Sequence, residues 1–201
     1  MALNRHTALL AAVGVLSLPM STTAAVPAPP FTAKNLDGAT LSLIQFKDQT
    51  VVLEWVNEGC PYVRKHYNSG SMQSSQRDAR SDGVVWIQIV SSAPGQQGYF
   101  ANPAKAKAWL TKQKSTPSHM ILDPAGAIGR LYKVTTTPEM FVIDKAGTLV
   151  FRGGIDDRAT TNPASLNGAK NYVRAALADL KAGQPVQTAY ARSYGCSVKY
   201  G

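Results

Sequence analysis

The chain has 201 residues, 44% of them hydrophobic, which suits one domain with a sizeable buried core. Its 21 Lys and Arg residues outnumber its 12 Asp and Glu residues and give a formal net charge of +9. The basic residues are scattered singly or in pairs and do not alternate with aromatic residues, so the charge does not indicate a nucleic-acid-binding protein.

The N-terminus has the layout of a secretory signal peptide. Arg5 gives a weakly positive start, residues 7–20 are almost uncharged and rich in Ala, Leu and Val, and small residues follow. The apolar stretch is too short to span a membrane. We therefore predict a signal peptide over residues 1–25, cleaved after Ala25 or Ala28. The protein is then exported, periplasmic or extracellular, without stable membrane insertion after cleavage.

The following residues predict alternating strands and helices. Asp37 and Gly38 mark a turn between two short alternating segments. Residues 50–56 and 84–90 are apolar, β-branched runs typical of buried strands. Residues 63–80 between them predict a helix that the Gly and Ser residues at 69–71 weaken. Two buried strands joined by a helical crossover are expected to pair in parallel.

The second half of the chain continues this pattern. Asn102 before Pro103 predicts a helix start. Residues 139–144 and 148–154 predict an antiparallel hairpin, and apolar residues at spacings of three and four over 166–180 predict a closing helix. Together the elements predict an α/β architecture with three layers.

The candidate reactive residue is Cys60, which follows a buried strand and a glycine turn and precedes a predicted helix. The free N–H groups and the positive dipole end of a helix stabilise a thiolate at this position. The alternative is a small buried apolar residue or half of a structural disulfide, since Cys196 is the only other cysteine.

The order of the elements and several local patterns resemble the thioredoxin-fold redoxins. The resemblance is closest to the peroxiredoxin-like proteins grouped with alkyl hydroperoxide reductase and thiol-specific antioxidant, and it covers residues 31–183. Residues 60–63 read Cys-Pro-Tyr-Val where thioredoxins have CxxC, and residues 195–199 read Gly-Cys-Ser-Val-Lys, as in a peroxiredoxin-like subgroup. The resemblance implies a thioredoxin-like three-layer α/β/α fold with a central mixed β-sheet.

This fold is expected over residues 26–186, followed by a C-terminal tail over residues 187–201 that carries Cys196. By resemblance, Cys60 is the redox nucleophile and Glu54 is a buried acid that moves the proton of the thiol. The alternative for Glu54 is a side chain turned outward to solvent. Cys196 either resolves an oxidised Cys60, forms a permanent bond with it, or stays a free thiol.

The predicted substrate-binding residues are Thr137, Pro138, Pro61 and Arg64. By resemblance, the peptide bond before Pro138 is cis and the backbone at Thr137 pairs with an incoming substrate strand. Arg64 lies one helical turn after Cys60 and can reach a mixed-disulfide or peroxide adduct formed on the Cys60 sulfur. A solvated helix face accounts equally well for Arg64 and its neighbour Lys65.

The peroxide-binding set of true peroxiredoxins is incomplete in this chain. Leu53 and Asn57 stand where those proteins have proline and a hydroxyl residue. No cofactor and no metal site are predicted, because His66 and His119 have no metal-ligand spacing, and we expect His66 to lie at the surface.

Together with the residues around Cys60, the resemblance implies an exported thiol oxidoreductase that uses Cys60 in thiol–disulfide exchange or in thiol-dependent peroxide reduction. Its partners are a thiol or disulfide protein or a small thiol reductant, with a hydroperoxide as a further candidate substrate and no nucleic acid. The alternative is a redox-silent binding or scaffold module stabilised by a Cys60–Cys196 disulfide. The sequence favours the oxidoreductase over the scaffold module but does not decide between them.

Overall fold

The computed structural model describes residues 26–201, so the predicted signal peptide lies outside the described residues. The strands are β1 (Thr32–Lys34), β2 (Thr40–Ser42), β3 (Val51–Trp55), β4 (Val85–Val90), β5 (His119–Leu122), β6 (Thr136–Thr137), β7 (Glu139–Ile143), β8 (Leu149–Gly153), β9 (Tyr190–Ala191) and β10 (Cys196–Ser197). The helices are α1 (Pro61–Asn68), α2 (Ser71–Ser81), α3 (Pro103–Gln113), α4 (Ala127–Leu131) and α5 (Tyr172–Lys181). Over residues 26–201, none of these helices has the length and apolar character needed to cross a bilayer.

The central sheet is mixed, as predicted. Its strand order is β5-β4-β3-β7-β8-β9. The strands β3, β4 and β5 are parallel, whereas β7 runs antiparallel to both β3 and β8. The predicted parallel pairing of the first two buried strands and the later antiparallel hairpin are therefore confirmed.

Side chains from β3 alternate between two apolar cores, one on each face of the sheet. Val52 and Val56 face the core that is covered by α1, α2, α3 and α5. Val51, Leu53 and Trp55 face the opposite core, which α4 and the β1–β2 hairpin cover. The predicted three-layer arrangement follows from this burial on both faces.

Two helices differ from the predicted ranges. The helix predicted over residues 63–80 is divided into α1 and α2 at Gly70, whose φ of 77° a glycine adopts without strain. The last helix begins only at Tyr172, because Asn171 caps it by accepting a hydrogen bond from the Arg174 N–H. The apolar residues before Asn171 fit the helical spacing but precede the cap.

The C-terminal tail packs along the domain instead of leaving it. The strand β9 adds in parallel to the edge of the sheet at β8, and β10 pairs antiparallel with β6. Further on, the Ala93 N–H donates to the Lys199 carbonyl at 2.8 Å, and the Tyr200 hydroxyl donates to the Val134 carbonyl at 2.9 Å. The tail is thus held at several points, on both sides of Cys196.

Candidate active site

A tight turn carries the chain from β3 to Cys60. The Asn57 side chain accepts a hydrogen bond from the Gly59 N–H at 2.8 Å and donates to the Gln97 carbonyl at 3.0 Å. A Cβ at Gly59 would lie 2.5 Å from the Gln97 side chain, so a larger residue there would require that side chain to move. Cys60 is the N-cap residue of α1, and Pro61 is the first residue of this helix. The predicted helix-start position of the cysteine is confirmed.

The Cys60 thiol is buried against the loop that precedes β7. Its side chain has no exposed surface, and its Sγ donates to the Thr137 carbonyl at 3.1 Å. The Thr137–Pro138 peptide bond is cis, as predicted. The structure therefore brings together Cys60, Thr137 and Pro138 from distant parts of the sequence.

The tail places the second cysteine at the same point. Cys196 lies opposite Thr137 in the register of β10 and β6, and both cysteines are free thiols. Burial raises the pKa of Cys196 to about 12, and the neighbouring Cys60 side chain adds to this increase by hydrogen bonding and by charge. Cys196 is therefore a protonated thiol at neutral pH while Cys60 is reduced beside it.

Gly195 allows the tail to approach this closely. A Cβ at Gly195 would lie 2.0 Å from the Thr137 carbonyl oxygen, and the φ of Gly195 is 141°. Both the space and the backbone conformation demand glycine. The residue before Cys196 thus packs directly on the Thr137 backbone.

A buried charged cluster is formed by side chains from α1, from the segment after β8 and from the tail just before Cys196. The Lys65 ammonium lies 3.0 Å from Asp156 Oδ2 and donates to the Arg158 carbonyl at 2.6 Å. The Tyr194 hydroxyl donates to Asp156 Oδ1 and lies 3.3 Å from Lys65 Nζ. Lys65 and Asp156 are 1% and 3% exposed, so the expectation of a solvated face is wrong for Lys65. The helix turns this lysine inward to the carboxylate.

His66 belongs to the same cluster, which corrects the expectation of a surface histidine. It has no exposed surface, and its Nε2 lies 3.7 Å from Asp156 Oδ2 and 3.5 Å from the Tyr194 hydroxyl. Burial lowers the pKa of His66 to about 4, although the Asp156 charge opposes this shift. The imidazole is therefore neutral at neutral pH.

Glu54 is fully buried, which excludes the solvent-facing alternative. Its carboxylate accepts hydrogen bonds from Tyr67 at 2.7 Å, Trp86 Nε1 at 2.7 Å, and Gln76 and Gln88 at 3.1 Å each. Burial raises its pKa, and these hydrogen bonds oppose part of the increase. Within residues 26–201, none of its hydrogen bonds reaches Cys60, so its predicted role in proton transfer stays a prediction.

Arg64 and Pro61 lie on the exposed side of the helix start. Arg64 Nε donates to the Glu58 carbonyl at 3.1 Å and so braces the turn before the cysteine. Over the described part of the chain, no group of three or more His, Cys, Asp and Glu side chains is arranged to hold a metal ion.

Asp156 and Tyr194 are the site residues that the sequence does not reveal. Asp156 belongs to the irregular segment after β8, where no motif marks it. Tyr194 had one available signal, its position two residues before the only other cysteine. The inward orientation of Lys65 and His66 could be recognised only once Asp156 was placed beside them.

The model of the AhpC/TSA family matches residues 24–152. An uncharacterized conserved protein from Geobacillus kaustophilus is 26% identical, with a TM-score of 0.73 over 88% of this chain and 92% of its own. A hypothetical protein from Sinorhizobium meliloti 1021 is 20% identical, with a TM-score of 0.73 over 90% of this chain and 97% of its own.

A third similar structure is that of a secreted Mycobacterium tuberculosis disulfide oxidoreductase, described as homologous to E. coli DsbE. It is 19% identical, with a TM-score of 0.50 over 69% of this chain and 92% of its own. The structural likenesses confirm the predicted thioredoxin-like three-layer fold. A comparison with curated protein sequences gives no match.

Proposed function

The chain belongs to the AhpC/TSA family, and from this premise we propose that it is an exported thiol oxidoreductase with Cys60 as nucleophile and Cys196 as its resolving partner. The observation that carries the proposal is the position of Cys196, opposite Thr137 and beside the buried Cys60 thiol. A free thiol at this point is suited to attack whatever bond Cys60 has formed.

The proposed reaction is thiol–disulfide exchange. The Cys60 thiolate attacks one sulfur of the substrate disulfide, which forms a mixed disulfide and releases the other sulfur as a thiolate. The Cys196 thiolate then attacks the Cys60 sulfur, which forms the Cys60–Cys196 disulfide and releases the second substrate thiolate. The substrate gains two electrons, the cysteine pair loses two, and a thiol reductant restores the pair.

The high pKa of Cys196 fits this sequence of steps. Part of the increase comes from the Cys60 side chain, through its hydrogen bond and its charge. Once Cys60 is in a mixed disulfide, it no longer carries a charge or a thiol hydrogen. The part of the increase that Cys60 causes is therefore removed in the mixed disulfide, whereas the part that burial causes remains.

A disulfide is the favoured substrate over a hydroperoxide. The Asn57 side chain, at the position of the peroxiredoxin hydroxyl residue, is committed to Gly59 and Gln97. Thr137, Pro138, Pro61 and Arg64 remain the proposed substrate-binding residues, and Glu54 remains the proposed proton acceptor for Cys60. The raised pKa of Glu54 supports that last role.

Export is supported by the signal-like N-terminus and by the secreted oxidoreductase of the same fold. In an oxidising compartment protein disulfides persist, and such disulfides are the bonds that a Cys60 thiolate attacks. We propose a disulfide-bearing protein as the substrate and a protein or small-molecule thiol as the reductant.

The test is reduction of a disulfide-bearing protein, with glutathione as the reductant. Cys60→Ser is expected to abolish turnover, whereas reduced Cys196→Ser, mixed with the substrate before glutathione is added, is expected to keep the mixed disulfide on Cys60 as a product visible by mass. Unchanged turnover in Cys60→Ser would show that Cys60 is not the nucleophile. Reduction of hydrogen peroxide but not of the protein disulfide would assign the peroxidase reaction instead.

A further inference from the structure

We propose that Tyr194 is a positioning residue that latches the tail over Cys60, and that a protein disulfide reaches Cys60 only when this latch opens. The inference rests on the proposed function and concerns access to the same site. It follows from the location of β10, from the contacts of the Tyr194 hydroxyl and from the burial of Cys60.

The tail occupies the edge that an incoming strand would need. Cys196 and Ser197 pair with Thr137 and Thr136, and the Val198 N–H donates to the Thr135 carbonyl at 3.1 Å. The Cys60 side chain has no exposed surface in this arrangement. A disulfide carried on a folded protein is too bulky to reach Cys60 unless the tail moves.

Tyr194 connects this segment to buried charged groups. Its hydroxyl binds a buried carboxylate, that of Asp156, and lies 3.3 Å from the Lys65 ammonium. Its ring faces the same ammonium at 5.2 Å and contacts the Tyr62 ring at 5.8 Å between centroids. Hydrogen bonds to charged, buried groups are stronger than neutral ones, so this contact favours the closed tail.

The position of Tyr194 in sequence makes it a latch for Cys196. Only Gly195 separates the two residues, and Gly195 packs against the Thr137 carbonyl. A fixed Tyr194 therefore leaves Cys196 few positions other than the one beside Cys60. Loss of the hydroxyl is expected both to expose Cys60 more often and to place Cys196 beside it less often.

The first test measures alkylation of Cys60 in the full chain with Cys196→Ser, which leaves Cys60 as the single cysteine. Tyr194→Phe removes only the hydroxyl and is expected to increase the rate with a polymer-linked maleimide by about tenfold. The matched control is Tyr190→Phe, on the same tail and 65% exposed, for which no change is expected. Equal rates in the two variants would overturn the latch.

The second test uses the chain with both cysteines and measures its equilibrium with dithiothreitol. Tyr194→Phe is expected to lower the equilibrium constant for the Cys60–Cys196 disulfide about tenfold, which makes its potential about 30 mV less negative. Tyr190→Phe is expected to keep the parent value. A structural role alone would lower the free energy of unfolding without this change in potential, and an unchanged potential would overturn the proposal.

The two proposals can fail separately. If Cys60→Ser leaves disulfide turnover unchanged, the proposed function is wrong, whatever the alkylation rates are. If turnover requires Cys60 but Tyr194→Phe is alkylated no faster than Tyr190→Phe, only the latch is wrong.

Discussion

Cys196 lies opposite Thr137 in the pairing of β10 with β6, and the carbonyl of the same Thr137 accepts the hydrogen bond of Cys60 at 3.1 Å. Thr137 thus pairs with the strand that carries Cys196 and also accepts a hydrogen bond from the side chain of Cys60. The two thiols lie close together because β10 pairs with β6. A substitution that disturbs this pairing is therefore expected to move Cys196 away from Cys60.

Gly195→Ala is expected to disturb this ladder. The new Cβ would lie 2.0 Å from the Thr137 carbonyl oxygen, so the tail must shift away from β6. We expect formation of the Cys60–Cys196 disulfide from a Cys60 mixed disulfide to slow by at least about tenfold. The measurement is quenched-flow alkylation followed by mass spectrometry.

Gly38→Ala is the matched control. Gly38 also has a positive φ, 80°, but a Cβ there would meet nothing within 4 Å. It therefore places an alanine at a positive φ without a new contact, and resolution should proceed at the parent rate. Equal slowing in both variants would show that the close approach at Gly195 is not the cause.

Lys65→Met should be strongly destabilising, because it leaves the buried Asp156 carboxylate without its ion pair. Removal of one partner from a buried pair costs about 3–5 kcal/mol. The neighbouring Arg64 is exposed, and Arg64→Met should change the free energy of unfolding by less than about 0.5 kcal/mol. Urea unfolding of both variants measures the difference, and similar values would contradict the assignment of Lys65 to the buried cluster.

His66 should make the fold less stable in mild acid. Its pKa falls from 6.5 to about 4 in the folded protein, so the unfolded chain binds a proton first as the pH is lowered. The free energy of unfolding is expected to decrease between pH 6.5 and pH 4, by up to about 3 kcal/mol from this group. Denaturant unfolding at several pH values in this window measures the slope.

Two histidine variants separate this contribution from that of the carboxyl groups. His66→Gln should remove most of the decrease in the free energy of unfolding between pH 6.5 and pH 4. His119→Gln should retain this decrease, because His119 is only partly buried. An identical pH profile in His66→Gln and the parent would contradict the buried, neutral imidazole.

Glu54 should change the free energy of unfolding with pH in the direction opposite to His66. Its pKa is raised in the fold, so its contribution to stability is complete below pH 4.5 and is lost as the pH rises through the folded value. Glu54→Gln cannot ionise and should lose less stability than the parent over this rise. Glu54→Ala should instead be less stable at every pH, by about 2 kcal/mol or more, since the Trp86 and Gln88 donors lose their acceptor.

The sequence was sufficient for the buried strands β3 and β4, for the β7–β8 hairpin and for the position of Cys60, but not for the short strands β6, β9 and β10. Continuous apolar runs indicate buried strands whatever their neighbours are, and Asn102 with Pro103 starts a helix by local interactions alone. The last helix was predicted too early, because apolar spacing continues through residues that precede its cap at Asn171. Local patterns thus identify elements better than their ends.

The candidate site was only partly predictable. Cys60 and the cis bond at Pro138 follow from local sequence and from the resemblance. The burial of Lys65 and His66 depends on Asp156, which the fold brings from far along the chain, and no periodicity in α1 reveals it. The docking of the tail likewise depends on β6, which pairs with β10 in a two-stranded sheet that forms only when the folded chain brings the two segments together.

The strand β9 has a further consequence for the exposed edge of the central sheet. It covers the outer edge of β8, where Gly153 lets the Ala191 backbone come so close that a Cβ would lie 1.9 Å from the Ala191 carbonyl oxygen. An uncovered strand edge is a template for pairing with a neighbouring molecule. The segment that brings the second thiol to the site therefore also pairs with part of this edge, at Arg152 and Gly153, and loss of the tail would leave the backbone of these two residues open to such pairing.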